Sequence, residues 1–367
     1  MAFDRVYGQS RVKRLLVSSL NRKRLAHAYL FHGPAGVGKD AMALAMALSL
    51  NCTEGRIGGC GSCTPCSQIM NLEYPHFRMV TPVPSRPKVM KEEKYREILR
   101  ERALQRIQNP YQQVTYSPEI TVLPVIGIGH VRLLKQGVTL KVEGGKHRVF
   151  LISRADQMTL EAANSLLKLL EEPPERTLLF LTTSYPARLL ETIVSRCQVV
   201  RFDPLSDEDI KLALIHRRNL PEEKAAFLAC MAGGSLQRGF DLAEEGFDAR
   251  RETALRFLER SLGEDTEGRI ACVEGLLERQ DKVEIHEILR ILQVWLRDIL
   301  QLSWGFPQRV LNIDCMDKLE RFRQEWSGFN VQAGLASIQQ SIDFIGKNAY
   351  LSLIMHSLSL DLRECVH

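Results

Sequence analysis

The sequence predicts an α/β core built on a parallel β-sheet, followed by an all-helical region. Three observations carry this. Short apolar runs at 28–31, 149–152 and 178–181 read as strands buried on both faces. They alternate with helical patterns at 39–50 and 159–171, the signature of parallel strands joined by crossover helices. After Asp203-Pro204 no comparable strand pattern follows, and amphipathic helices run to His367, broken near Gly233-Gly234, Gly246, Gly263 and Gly305-Phe306-Pro307.

Taken in order, residues 9–24 place Val12, Leu15, Leu16 and Leu20 on one helical stripe. The first strand run ends at Gly33-Pro34-Ala35-Gly36-Val37-Gly38-Lys39-Asp40, which opens an Ala/Met/Leu-rich helix. Strand, glycine-rich turn and helix are the context of a phosphate-binding loop. In such a loop backbone N–H groups turn inward on phosphates, the Lys reaches the terminal phosphates, and a final Ser or Thr hydroxyl ligates Mg²⁺. Gly33, Gly36, Gly38 and Lys39 are in place, but Asp40 replaces the hydroxyl. Lys39 and the backbone donors permit ATP or ADP, while the Asp40 charge opposes it.

Cys52, Cys60, Cys63 and Cys66 place four thiols within fifteen residues, interleaved with Gly58, Gly59, Gly61 and Pro65. Four thiolates suit a tetrahedral Zn²⁺ with no open position, so the expected role is structural. Free thiols, a redox pair and an iron–sulfur cluster are the competing readings. The other five cysteines read as small buried apolar residues. Residues 82–125 are charge-dense and read as a helical insertion. Its interleaved Glu92, Glu93, Glu97 and Glu101 favour a solvated face over a nucleic-acid contact.

The second strand run, 149–152, leads into Ser153-Arg154-Ala155-Asp156. A working P-loop NTPase closes this strand with carboxylates for Mg²⁺ and for the attacking water. Ser153 and Arg154 stand there instead, and Asp156 reads as a helix-entry residue. Thr159 is the expected N-cap of a helix whose apolar face is Leu160, Ala163, Leu166, Leu167 and Leu170, stopped by Pro173-Pro174. Two independent losses, at Asp40 and at Ser153-Arg154, argue against ATP hydrolysis by this chain. Ser195-Arg196-Cys197 lies between a helix beginning near Pro186 and a last strand at 199–202. An arginine on such a corner can reach a neighbouring subunit, although spacing alone makes it a surface residue.

The chain has 367 residues, 45% apolar and 25% charged, with a net charge of +5. That is the composition of globular domains, and the basic excess is too small to argue for nucleic acid alone. No run approaches the roughly 18 apolar residues of a membrane span. The charged N-terminus lacks the apolar region of a signal peptide. With cysteines that form no disulfide framework, the compartment expected is the cytoplasm.

Gly8-Gln9, residues 27–31, the four-Cys insert, Ala155-Asp156-x-Met158, Glu171-Glu172-Pro173-Pro174, Thr182-Thr183-Ser184 and Ser195-Arg196-Cys197 occur in that order. Farther on come Trp295-Leu296-Arg297-Asp298 and Asn348-Ala349-x-Leu351. This sequence resembles the bacterial clamp-loader AAA+ ATPases of DNA polymerase III, and within them the delta-prime group rather than the gamma/tau motors. The resemblance implies an AAA+ core with a zinc module (1–203), a helical lid (204–247) and a helical collar (248–367). It implies a five-membered ring with gamma/tau and delta, acting on the sliding clamp and primer-template DNA. It also implies Arg196 as an arginine finger supplied in trans, Thr183 as a relic of the sensor position, and Gln237 where a motor carries a sensor arginine. Two alternatives compete with a non-hydrolysing subunit: a gamma/tau-type motor using Asp40 for Mg²⁺, and a nucleic-acid-binding relative using the zinc module and the insertion.

Overall fold

The computed structural model describes residues 3–84, 92–111, 124–136, 146–244, 246–279, 281–347 and 349–366. Most of the 82–125 insertion's flanks, and Asn348 of the C-terminal motif, lie outside these residues. The chain forms two compact units, Met1–Ala213 with Ala232–Asp241, and Leu214–Met231 with Leu242–His367.

In the first unit five strands form one parallel sheet: β1 (Ala28–His32), β2 (Phe77–Val80), β3 (Arg148–Ile152), β4 (Thr177–Thr183) and β5 (Gln198–Arg201), in the order β2-β3-β4-β1-β5. The helices are α1 (Ser10–Asn21), α2 (Lys39–Asn51), α3 (Thr64–Met70), α4 (Glu92–Gln108), α5 (Ile128–Gln136), α6 (Leu160–Glu171) and the short α7 (Glu191–Val194). The apolar runs became strands because both faces are covered. Ala28 and Leu30 pack with Phe150, Ile152, Leu179, Leu181 and the buried side of α6. The alternate residues of β1, Tyr29 and Phe31, meet Phe180 and Phe202 at ring separations of 5.1–5.5 Å, as the two-residue period of a strand requires.

Three expectations are corrected here. Strand β2 was not foreseen, because four residues that include Arg78 carry no alternation strong enough to stand out. Helix α6 has its Thr159 cap, accepting from the Ala162 N–H, but Leu160 is exposed rather than on the apolar face. The buried side is centred on Leu166, and six residues of an α-helix place Leu160 about 120° around the axis. The segment near Pro186 is a single 3₁₀ turn, Pro186–Arg188, with α7 starting only at Glu191.

From residue 207 the described chain is helical: α8 (Asp207–Arg218), α9 (Glu222–Ala232), α10 (Leu236–Ala243), α11 (Phe247–Leu262), α12 (Thr266–Arg279), α13 (Lys282–Ser303), α14 (Met316–Glu325), α15 (Val331–Gly346) and α16 (Leu351–Glu364). In the second unit α13 is the central element, opened by a capping box from Asp281 and Glu284. Near its end Asp298 is fully buried, pairs with Arg297, and accepts from the N–H groups of Leu311 and Asn312 and the Asn312 amide. That carboxylate fixes the turn leaving the helix. Among the described residues no helix is long and apolar enough to cross a membrane.

Candidate functional site

Strand β1, between β4 and the edge strand β5, ends at His32, and the glycine-rich loop carries the chain to α2 at Lys39. Lys39 is 9% exposed. Its Nζ donates to the Gly33 carbonyl at 2.8 Å, the Pro34 carbonyl at 2.5 Å and the Ser184 hydroxyl at 3.2 Å. Burial brings its pKa down to about 8, opposed by Asp40 and assisted by Arg106. The loop borders a cavity of about 280 Å³, reached by Lys39, Arg106, Tyr111, Arg154, Ser184 and Gln237. Gly38 has φ 96°, and a Cβ there would meet the Tyr111 hydroxyl at 2.9 Å, so this part of the insertion lies directly against the loop.

The replacement at position 40 is resolved by its surroundings. Asp40 is 4% exposed, with every partner supplied by the chain. Arg106, on α4, donates to Oδ2 from Nη2 at 2.6 Å and from Nε at 2.9 Å. The Ser153 hydroxyl donates to the same oxygen at 2.5 Å, and the Thr182 hydroxyl to Oδ1 at 2.5 Å. Burial pushes the Asp40 carboxyl up, but the Arg106 charge and the hydrogen bonds from Ser153, Thr182 and Arg106 outweigh it and hold the group below the usual carboxylate range. The two positions that ligate Mg²⁺ in a working loop have thus exchanged chemistry, carboxylate at 40 and hydroxyl at 153, and a guanidinium neutralises the pair.

The remaining motif residues are likewise engaged. Thr183, at the end of β4, donates to Asp156 at 2.6 Å and accepts from the Tyr185 N–H at 2.9 Å. Asp156 sits in a 3₁₀ turn, Ala155–Gln157, as a helix-entry residue would. Arg154 holds a left-handed backbone (φ 53°) and its N–H donates to Thr182 at 3.2 Å.

Arg196 lies at the end of α7. Its side chain is 36% exposed and pairs with Glu171, the last residue of α6, at 2.9 Å. A second nitrogen donates to the Thr192 carbonyl at 3.0 Å.

The four cysteines converge. Cys52 ends α2, Cys63 caps α3 and Cys66 is buried within α3, while Cys60 lies on the loop between. Their sulfurs all fall within 4.8 Å of one another. Tetrahedral Zn–S bonds of about 2.3 Å require sulfur separations of about 3.8 Å, so the donor set fits a structural metal after small rotations. Gly59 has φ 82°, and a Cβ there would meet Leu48 at 2.8 Å and the Cys66 sulfur at 3.2 Å, so the cradle admits no side chain. Of the other five cysteines Cys315 and Cys365 are buried as expected, whereas Cys197, Cys230 and Cys272 are only partly so.

A phosphate-binding loop on the first turn of a parallel sheet, with an internal ion pair at the metal-ligand position, defines a P-loop protein of modified site chemistry. The profile of the family described as DNA polymerase III, delta subunit, matches residues 8–206, and the chain belongs to that family. The DNA polymerase III subunit delta-prime of Bacillus subtilis (strain 168) is 28% identical over 358 residues, 97% of this chain and 96% of that protein. The subunit delta-prime of Pseudomonas aeruginosa is 28% identical over 311 residues, 84% of this chain and 81% of its own. The subunit tau/gamma of Haemophilus influenzae is 31% identical over 249 residues, covering 66% of this chain but 30% of that longer protein.

Sequence reasoning missed Arg106, Thr182 and Glu171 as site residues. Arg106 was assigned to a solvated face, and this is corrected: its side chain is 15% exposed and ends on Asp40. One signal was present. Asp at 40 and Ser at 153 are reciprocal replacements, and a buried carboxylate requires a cation.

Proposed function

We propose that this chain is a delta-prime-type AAA+ subunit of the bacterial clamp loader, which does not hydrolyse ATP and lends Arg196 to a neighbouring motor. The observation that carries the reading is the Arg106–Asp40 pair. Phosphoryl transfer in P-loop proteins needs a metal between the loop hydroxyl, the strand carboxylate and the phosphates. Here Arg106 neutralises the carboxylate at position 40, Ser153 and Arg154 stand where β3 would end in carboxylates, and Asp156, the next carboxylate along the chain, is engaged by Thr183. The same pair disfavours a gamma/tau-type motor, since Asp40 is engaged by three side chains.

In this reading gamma/tau and delta are the partners in the ring, and the sliding clamp and primer-template DNA are its substrates, in the cytoplasm. Arg196 acts on a γ-phosphate bound next door, where its charge offsets that developing in the transition state. Cys52, Cys60, Cys63 and Cys66 hold a structural Zn²⁺, which would tie α2 to α3. Gly33, Gly36, Gly38 and Lys39 remain as architecture, with the Lys39 ammonium directed onto the loop's own carbonyls.

The test is ATP turnover by the purified chain and by a complex reconstituted with its tau/gamma and delta subunits. The chain alone is expected to show none above background. Arg196→Ala is expected to leave assembly intact and to lower DNA-stimulated turnover of the complex several-fold or more. An arginine finger is worth roughly 10³–10⁵ at its own site, and only one interface of the ring loses it. Turnover by the chain alone that disappears in Lys39→Ala would overturn the reading.

A further inference from the structure

Helix α6 ends at Glu171 because Pro173 and Pro174 follow it, and the Glu172 backbone has already left the helical region (φ −124°, ψ 69°). The residue before Glu171, Leu170, and the residue after Arg196, Cys197, pack into one apolar cluster with Leu166, Leu189, Ile193 and Val194. Both members of the 2.9 Å ion pair therefore project from backbones anchored in the same core. The guanidinium is held at two corners, by the Glu171 carboxylate and by the Thr192 carbonyl. An arginine has five N–H donors, so these two bonds orient its plane and still leave donors for a phosphate oxygen.

We propose that Glu171 is a positioning residue for Arg196, orienting the guanidinium toward the nucleotide of the adjacent subunit before that subunit closes on it. The inference rests on the finger reading of Arg196. Its physical basis is preorganisation: a long side chain held beforehand loses less rotamer freedom when it meets the transition state. The role differs from a stability contact, because a pair this exposed contributes little to folding.

The experiment measures kcat and KM for ATP in the reconstituted, DNA-stimulated complex carrying Glu171→Ala, Glu171→Gln, Arg196→Ala or the double alanine variant. Melting temperatures of the free subunit are compared in parallel. Glu171→Ala is expected to lower kcat roughly two- to five-fold, the range that exposed ion pairs support, with KM unchanged. Glu171→Gln keeps an acceptor and is expected to recover part of that loss. The double variant is expected to be no slower than Arg196→Ala, because Glu171 acts only through the arginine. Arg196→Ala slow and Glu171→Ala as fast as wild type, or faster, overturns the positioning role and leaves the finger standing. Additive losses in the double variant overturn it as well. Unchanged turnover in Arg196→Ala removes the finger reading, and this inference with it.

Discussion

Arg106 and Asp40, sixty-six positions apart, meet through two hydrogen bonds to a single carboxylate oxygen, at 2.6 and 2.9 Å. The side chains are 15% and 4% exposed, so the pair is desolvated, and Asp40 has in addition the hydroxyls of Ser153 and Thr182. Breaking such a pair on one side leaves a buried charge without its partner. Arg106→Met is therefore expected to destabilise the first unit by about 3–5 kcal/mol in urea denaturation. Adding Asp40→Asn is expected to recover much of the loss, because the amide carries no charge to be compensated. A single variant as stable as wild type would remove the role given to this pair.

The same pair sets an acid limit. Asp40 has its folded pKa below the unfolded value of 3.8, so its contribution is complete above that value and disappears as pH falls through the folded one. Wild type is expected to lose stability below about pH 3.8 more steeply than the Arg106→Met/Asp40→Asn variant, by circular dichroism across an acid titration.

Lys39 behaves in the opposite sense. Burial lowers its pKa to about 8 from 10.5, so holding it charged costs stability at neutral pH. Between about pH 8 and 10.5 the unfolded chain binds the proton that the folded chain has released, and stability rises with pH. The stability difference between wild type and Lys39→Met is expected to shift in favour of wild type across that window.

Restoring the loop hydroxyl alone is not expected to restore a motor. In Asp40→Thr the strand still ends in Ser153-Arg154, and the Arg106 guanidinium keeps its positive charge beside the would-be Mg²⁺ position without the Asp40 carboxylate. Purified Asp40→Thr is expected to show no Mg²⁺-dependent ATP turnover in a phosphate-release assay. Turnover at typical motor rates would mean that position 40 alone had silenced the site.

Elemental analysis of the purified chain is expected to find one zinc per molecule. Cys66→Ala is expected to lose it and to destabilise the α2–α3 segment by several kcal/mol, since binding of a structural metal is folding free energy. Unchanged metal content in Cys66→Ala would show that the cysteines are not the ligands.

Much of the site was legible along the chain because its parts are local. The glycine loop, the four cysteines and Ser195-Arg196-Cys197 each lie within fifteen residues, and their spacing carries their chemistry. Strand runs at β1, β3 and β4 were equally legible, since strands buried on both faces must be apolar throughout. What failed was non-local or marginal. Arg106 sits in a mixed-charge helix whose composition says solvent, and only docking against the loop makes it a buried partner. Glu171 was visible as part of a helix stop, but its approach to Arg196 depends on two helices sharing a core.

The sequence by itself determined the α/β class, the phosphate-loop pattern, the metal-binding potential of the cysteines and the two places, at Asp40 and at Ser153-Arg154, where the chain departs from a working loop. It did so because each is written in residues close together or in a fixed period. Tertiary structure alone decided what replaced the losses: a carboxylate and a hydroxyl with exchanged places, neutralised by an arginine from a distant insertion. A buried charge must find its counter-charge wherever the fold brings one, and no rule of spacing along the chain specifies where that is.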